Sequence, residues 1–106
     1  VEAQGEPTMM RGDPRLLRRM VRNLLENARR HGAPPIEVAV RNREIRVCDA
    51  GPGVPQADRE RIFEPFNSRR GTGLGLALVR QIAERHGGGV RCEAREGGGS
   101  CFTLQL

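Results

Sequence analysis

The 106 residues suffice for one domain with one modest core, and 18 basic against 13 acidic side chains leave a net charge of +5. Every basic residue is arginine and lysine is absent. That excludes a P-loop lysine on nucleotide phosphates, a Schiff-base lysine and the phosphate-pairing lysine of the protein-kinase fold.

A basic chain suits an acidic partner, whether nucleotide, nucleic acid, acidic protein or membrane surface. The arginines are spread along the chain, and the only aromatics are Phe63, Phe66 and Phe102, so stacking platforms are lacking and nucleic acid is not the expected partner. Cys48, Cys92 and Cys101 form no CxxC or Cys/His cluster and are expected to be reduced, core-facing intracellular thiols. No stretch approaches the ~20 apolar residues of a membrane span and no signal peptide opens the chain, which points to a cytoplasmic location.

In chain order, residues 1–12 are mixed, with a short extended piece around 8–11. Asp13-Pro14 reads as an N-cap followed by proline at the first helical position. The helix is expected to run to about His31 and stop at Gly32, with Pro34-Pro35 forbidding continuation. Ile36, Val38 and Val40 alternate with polar or small residues as in a half-buried strand; Asn42-Arg43 is a tight turn into a second strand over 44–49, with Ile45 and Val47 inward. A Gly/Pro loop covers 50–55, a short helix about 56–63, and another loop 64–72. The next helix is expected over 73–85, with Leu74, Leu78 and Ile82 on one stripe. Two closing strands, about 90–95 and 100–106, flank Gly97-Gly98-Gly99. The resulting class is α+β, a two-layer sandwich with helices packed on one face of a mixed, mostly antiparallel sheet.

On the first helix Leu17, Val21, Leu24, Leu25 and Ala28 form an apolar sector, while Arg15, Arg18, Arg22, Glu26 and Arg29 face solvent. Asn23, Asn27 and Arg30 stack at i, i+4 and i+7 on the border between the two. Asparagine is a poor helix former and a buried amide needs partners. Two readings stay open: an Asn pair that hydrogen-bonds neighbouring loops, or amide oxygens offered to Mg²⁺ with a guanidinium one turn on for phosphate.

Alternation puts Asp49 inward with Ile45 and Val47, where a carboxylate must accept hydrogen bonds. It either caps its own turn, as Asp-x-Gly sequences do, or reads an exocyclic amino group such as that of adenine, with Gly51 and Gly53 admitting a flat ligand. Gly71-Thr72-Gly73-Leu74-Gly75-Leu76 follows a loop rather than a strand and lacks the third dinucleotide glycine, so it is not a Rossmann fingerprint. It is either a hinge beside a solvated basic pair or a helix N-terminal anion site, with Arg69 and Arg70 adding charge.

The ordered set Asn23-x3-Asn27, Asp49-x-Gly51-x-Gly53, Phe63-x2-Phe66 and Gly71-x-Gly73-x-Gly75 resembles the catalytic ATP-binding domain of bacterial two-component sensor histidine kinases. This is a Bergerat-type fold in the superfamily shared with DNA gyrase B, the Hsp90 chaperone and the mismatch-repair protein MutL. The stretches from Leu24 to His31, Asp49 to Gly53, Ile62 to Phe66 and Gly73 to Val79 are similar to its N, G1, F and G2 boxes, and the likeness covers about residues 10–106. Only four residues separate Phe66 from Gly71, where this family carries an ATP lid.

The resemblance implies ATP and Mg²⁺ as cofactors, with Asn27 as the metal ligand and Asn23 as the neighbouring phosphate or metal contact. Arg30 stands where the family has a phosphate-contacting lysine, and His31 where it has an aromatic beside adenine. Asp49 reads adenine, Gly51 and Gly53 shape that wall, Gly73 and Gly75 make phosphate-side backbone contacts after the lid, and Phe66, Arg69, Arg70, Gly71, Thr72, Leu74 and Leu76 are further nucleotide-binding positions. Hydrolytic and serine-phosphorylating relatives place a glutamate base where this chain has Asn23. Asn23 therefore favours transfer of the γ-phosphoryl group to histidine, which needs less help as a nucleophile. The implied partners are a separate phosphoacceptor histidine domain, a downstream response regulator and, for the parent, a second copy in a homodimer. An anti-sigma-type serine kinase and a non-catalytic nucleotide-binding module are the alternatives.

Overall fold

Pro14 opens an 18-residue helix, α1 (Pro14–His31), whose last turn carries Arg29, Arg30 and His31 against the negative end of the helix dipole. The computed structural model describes residues 2–5 by their backbone, and residues 14–65 and 75–106 in full. The Asp13 cap and the extended piece at 8–11 lie outside them. Before α1 stands a strand that the sequence pattern did not announce, β1 (Glu2–Gly5).

After α1 come β2 (Glu37–Arg41) and β3 (Glu44–Asp49), joined as expected through Asn42 and Arg43, both at positive φ (50° and 63°). Two left-handed central residues make a primed turn, whose twist matches that of the strands. The expected short helix over 56–63 is instead two 3₁₀ turns, Gln56–Asp58 and Arg61–Phe63. The amides of Asp58 and Phe63 reach back only three residues, to Pro55 and Glu60. So short a segment cannot complete a stable α-helical nucleus, and it bends to bury Ile62 and Phe63. α2 (Gly75–Arg85), β4 (Gly89–Ala94) and β5 (Ser100–Gln105) complete the chain.

The sheet order is β1-β2-β3-β5-β4; β1 runs parallel to β2 and every other pair is antiparallel. Both helices cover one face, as the α+β reading requires. The core between the layers holds Val47 opposite Phe102 and Ile45 opposite Leu104, with Phe63 set edge-on to Phe102 at 6.1 Å.

Both helices bury a stripe rotated from the expected one. In α1 the buried positions are Met20, Leu24, Asn27 and Ala28, while Leu17, Val21 and Leu25 are only half-buried. In α2 they are Leu76, Val79, Ile82 and Ala83; Leu78 is half-buried and Leu74 lies outside the described residues. The reason is mutual. α1 and α2 pack side by side on the sheet, so each turns part of its apolar arc to the other helix rather than squarely to the strands.

The cysteine expectation holds for Cys92, a buried free thiol, and fails for the other two. Cys48 and Cys101 form a disulfide, with Cα atoms 4.1 Å apart. They are direct partners across β3 and β5, on the face turned away from the helices. Fifty-three residues separate them in sequence, so only the strand register reveals the pair.

That outer face is otherwise an arginine–glutamate layer. Arg91 bridges Glu44 at 3.3 Å and Glu93 at 2.9 Å, and Arg95 reaches Glu37 at 3.3 Å. Beneath it Thr103 is 1% exposed, and its Oγ1 is the one buried side-chain oxygen or nitrogen without a partner among the described residues. An unpaired buried hydroxyl is costly, and valine keeps the shape and suits a strand. Thr103→Val is therefore expected to raise stability by about 1 kcal/mol in urea unfolding, with m unchanged; a loss of stability would contradict this account of the outer face.

Candidate functional site

The last residues of β3 carry the chain from the core to the edge of the sheet. Alternation sends Asp49 to the helix side, where it is 3% exposed. Its Oδ1 accepts the Gly51 amide at 2.8 Å, so the carboxylate caps the loop it opens, as one of the two sequence readings held. The Ala50 amide donates to the Ala33 carbonyl at 2.8 Å, tying this loop to the chain leaving α1.

The fit allows no side chain between these segments. A Cβ on Gly32 would stand 2.3 Å from Asp49 Cγ, and one on Gly51 would stand 2.6 Å from Gly32 Cα. Gly32 is thus more than a helix stop. Its hydrogen leaves the room that the Asp49 carboxyl occupies, a role that sequence reasoning missed. The signal in the sequence was a glycine directly after a helix whose polar strip faces a buried aspartate, but nothing local revealed their proximity.

Asn27, 8% exposed, lies one turn before His31 on the buried side of α1. Asn23 is half-buried and its Nδ2 donates to the Gly75 carbonyl at 3.2 Å, where α2 begins. The asparagine strip therefore runs along the seam between the two helices. Its far end is the N-terminus of α2, where amides without intrahelical partners favour an anion. Gly75 itself is exposed, whereas Leu76 turns its side chain into the core and leaves its backbone to the site. His31 is half-buried at the C-terminal end of α1, and Gly53 (φ 80°) closes the turn after Gly51. Phe66, Arg69, Arg70, Gly71, Thr72, Gly73 and Leu74 lie outside the described residues.

Arg30 sits on the solvent side of this seam. Its Nε donates to Glu26 Oε1 at 3.1 Å, and Arg29 clasps the same carboxylate. The Arg29 hydrogen bond, with the charges of Arg29 and Arg30, holds the Glu26 carboxyl below its usual range, and Glu26 in turn raises Arg29. The only carboxylate of α1 is thereby occupied with guanidinium groups away from the asparagine strip.

Among the described residues no cluster of three or more His, Cys, Asp or Glu side chains could hold a metal by itself. The donors on offer are neutral amides. An amide oxygen is a hard ligand of the kind that Mg²⁺ accepts when phosphate oxygens and water complete the octahedron, so the set fits a metal that arrives with a nucleotide. A groove of about 790 Å³ runs along the other flank of α1, over Leu17, Val21, Leu25, Ile36 and Ile45. It offers an apolar floor and an arginine rim without converging polar groups.

Known proteins resemble this chain in sequence and fold. Residues 12–106 match the family model described as histidine kinase-, DNA gyrase B- and HSP90-like ATPase. The circadian input-output histidine kinase CikA of Synechococcus elongatus is 39% identical over 92% of this chain and 15% of its own length. The sensor protein DivL of Caulobacter vibrioides is 40% identical over the whole chain and 15% of its own. Among solved structures, the mycobacterial sensor histidine kinase MprB superposes with a TM-score of 0.81 at 33% identity, covering 96% of this chain and 76% of that one. The ATP-binding domain of PrrB from Mycobacterium tuberculosis superposes with a TM-score of 0.79 at 36% identity, covering 100% and 79%. The chain thus spans about a seventh of the first two curated relatives. With the family model matched over nearly its full length and with these relatives, the chain belongs to the histidine kinase-, DNA gyrase B- and HSP90-like ATPase family, on its sensor histidine kinase side.

Proposed function

We propose that this chain binds Mg·ATP at the seam between α1, the Asp49–Gly53 loop and the start of α2. It then delivers the γ-phosphoryl group to a histidine on a separate dimerisation domain of a parent kinase, in two-component signalling. The observation that carries the reading is the buried Asp49 carboxylate, with one oxygen fixed by the Gly51 amide where β3 opens into the loop over 51–53. One oxygen is held by the chain. The other is the acceptor for an exocyclic amino group, and the flat base lies against Gly51 and Gly53.

From there the nucleotide runs along the asparagine strip, with its phosphates towards the N-terminus of α2 and its amides. Asn27, with Asn23 beside it, would hold the metal, which supplies charge neutralisation on the phosphates. Arg30 reaches the phosphates from the solvent side if Glu26 releases it. No protein carboxylate of α1 faces the seam, since Glu26 is bound to Arg29 and Arg30. A water or serine hydroxyl would lack a base from this helix, whereas a neutral imidazole is already a nucleophile. That supports histidine as the acceptor. Catalysis is then positioning and charge neutralisation, as phosphoryl transfer in general is. On this reading the parent acts as a cytoplasmic homodimer portion upstream of a response regulator.

Two measurements test it. In calorimetry Asp49→Asn and Asn27→Ala are each expected to weaken Mg·ATP binding about tenfold to hundredfold, as for the loss of a buried charged or metal-linked hydrogen bond. Asn27→Ala should also lose the gain in affinity that Mg²⁺ gives the native chain; unchanged binding in both variants would leave arginine charge as the only explanation. In a labelling assay with ATP, phosphate should appear on the added dimerisation domain of the parent and not on this chain alone. Label on the isolated chain would refute the division of labour.

A further inference from the structure

The disulfide ends one residue short of Asp49. Across β2, β3, β5 and β4 its row reads Glu37, Cys48, Cys101, Glu93, and the next pair towards the site is Asp49 with Ser100. Beyond that pair the strands part. Gly99 then lies so close that a Cβ on it would stand 1.9 Å from the Asp49 carbonyl oxygen, and one on Gly53 would stand 3.2 Å from the Gly99 carbonyl oxygen. Backbone therefore meets backbone from the cross-link through Gly99 to Gly53, with no flexible side chain to absorb a shift.

The bond is also placed for exchange. Cys48 is half-buried on the outer face, while Cys101 is 4% exposed. Arg95, at the end of β4, donates to the Gly98 carbonyl at 3.0 Å and reaches Glu37 on β2 at 3.3 Å. Strands lie about 4.8 Å apart, so this ion pair crosses the two strands that carry the sulfurs. That guanidinium is already paired with Glu37, and Glu37 and Glu93 flank the two cysteines in their row, so exchange rests on access to Cys48 rather than on a cation. The bond thus joins a half-buried cysteine to a sheltered one.

We propose that Cys48–Cys101 is a reversible thiol–disulfide control on the nucleotide site, opened by a low-molecular-weight thiol and closed by the corresponding disulfide. The proposal rests on the Mg·ATP reading of that site. The attacking thiolate forms a bond to Cys48 Sγ and the Cys48–Cys101 bond breaks, with the electron pair leaving on Cys101 Sγ, which takes up a proton. A second thiolate attacks the outer sulfur of the mixed disulfide and releases Cys48 as a thiolate. The protein gains two electrons and two protons, and the two small thiols are oxidised to one disulfide. With the bond closed, the Asp49–Ser100 pair is held in register and the loop is preorganised for the base. With it open, the strand end frays and the hydrogen bond from Gly51 to Asp49 opens more often.

The test compares the whole chain after equilibration with reduced glutathione and with oxidised glutathione, and adds Cys48→Ser. Reduction is expected to raise the Kd for Mg·ADP about threefold and to speed hydrogen exchange of the Gly51 amide about tenfold. Cys48→Ser should keep the reduced values in either buffer. Equal Gly51 exchange in the two wild-type states overturns the proposal, as does a Cys48 or Cys101 that remains alkylatable in oxidised glutathione, Cys92 being free in both states. The wild-type comparison stands on its own if the variant folds poorly. Absence of Mg·ADP binding in both states overturns the nucleotide reading instead. A thiol-dependent Gly51 exchange rate would then still support coupling of the bond to the loop, and a thiol-independent one would overturn that too.

Discussion

A carboxylate buried at the end of a central strand is the constraint around which this end of the molecule is arranged. Left without a hydrogen-bond partner in the apolar layer, a carboxyl at Asp49 would be costly. The chain answers with one backbone amide two residues on, from Gly51. That answer works only if the loop folds back tightly, and tight folding brings Gly51 onto Gly32 and Gly32 onto the carboxyl. The end point of α1, the path out of β3 and the missing side chains around them are therefore one solution to one electrostatic problem. A ligand that donates to the same carboxylate would use a site already prepared for its charge.

The arginine-only composition gains a spatial meaning. On α1, Arg29 and Arg30 close over Glu26; on the outer sheet face, Arg91 and Arg95 close over Glu44, Glu93 and Glu37. These pairs are exposed or half-exposed, and each contributes little to stability. What they achieve is placement. Forked guanidinium groups reach across neighbouring strands on the face where Thr103 and Cys101 are buried. The seam between the helices is left to neutral amides and backbone dipoles, a setting in which a highly charged nucleotide can bring its own metal.

Legibility in the sequence followed the range of the interaction. The β2–β3 hairpin was readable because its signals are local: alternation from Ile36 to Val40, two left-handed residues at Asn42 and Arg43, and alternation again to Asp49. The limits of α1 were readable for the same reason. Its buried arc was not, because Met20 is covered through packing that depends on where α2 lies. The Asx contact of Asp49 was open as one of two readings, and the structure shows it without deciding against a ligand on the other oxygen. Gly32 looked like punctuation until Asp49 was seen above it. Cys48 and Cys101 were misread since nothing short of the β3–β5 register places one against the other.

That register has consequences on both sides of the sheet at once. In β3 the residues at 45, 47 and 49 feed the core and the site, while 44, 46 and 48 feed the outer layer. A slip of one residue would turn Asp49 to the outer face and Cys48 into the site, and every odd contact would exchange with an even one. Three features oppose the slip. The two-residue turn at Asn42-Arg43 sets the phase of β3 against β2; Val47 against Phe102 sets it through the core; and Cys48 against Cys101 sets it covalently on the far side. The turn acts at the opposite end of β3, the Val47–Phe102 pair two residues before Asp49, and the cross-link one residue before it. Core packing on one face and the cross-link on the other therefore fix the same register, the one that turns Asp49 to the helix side.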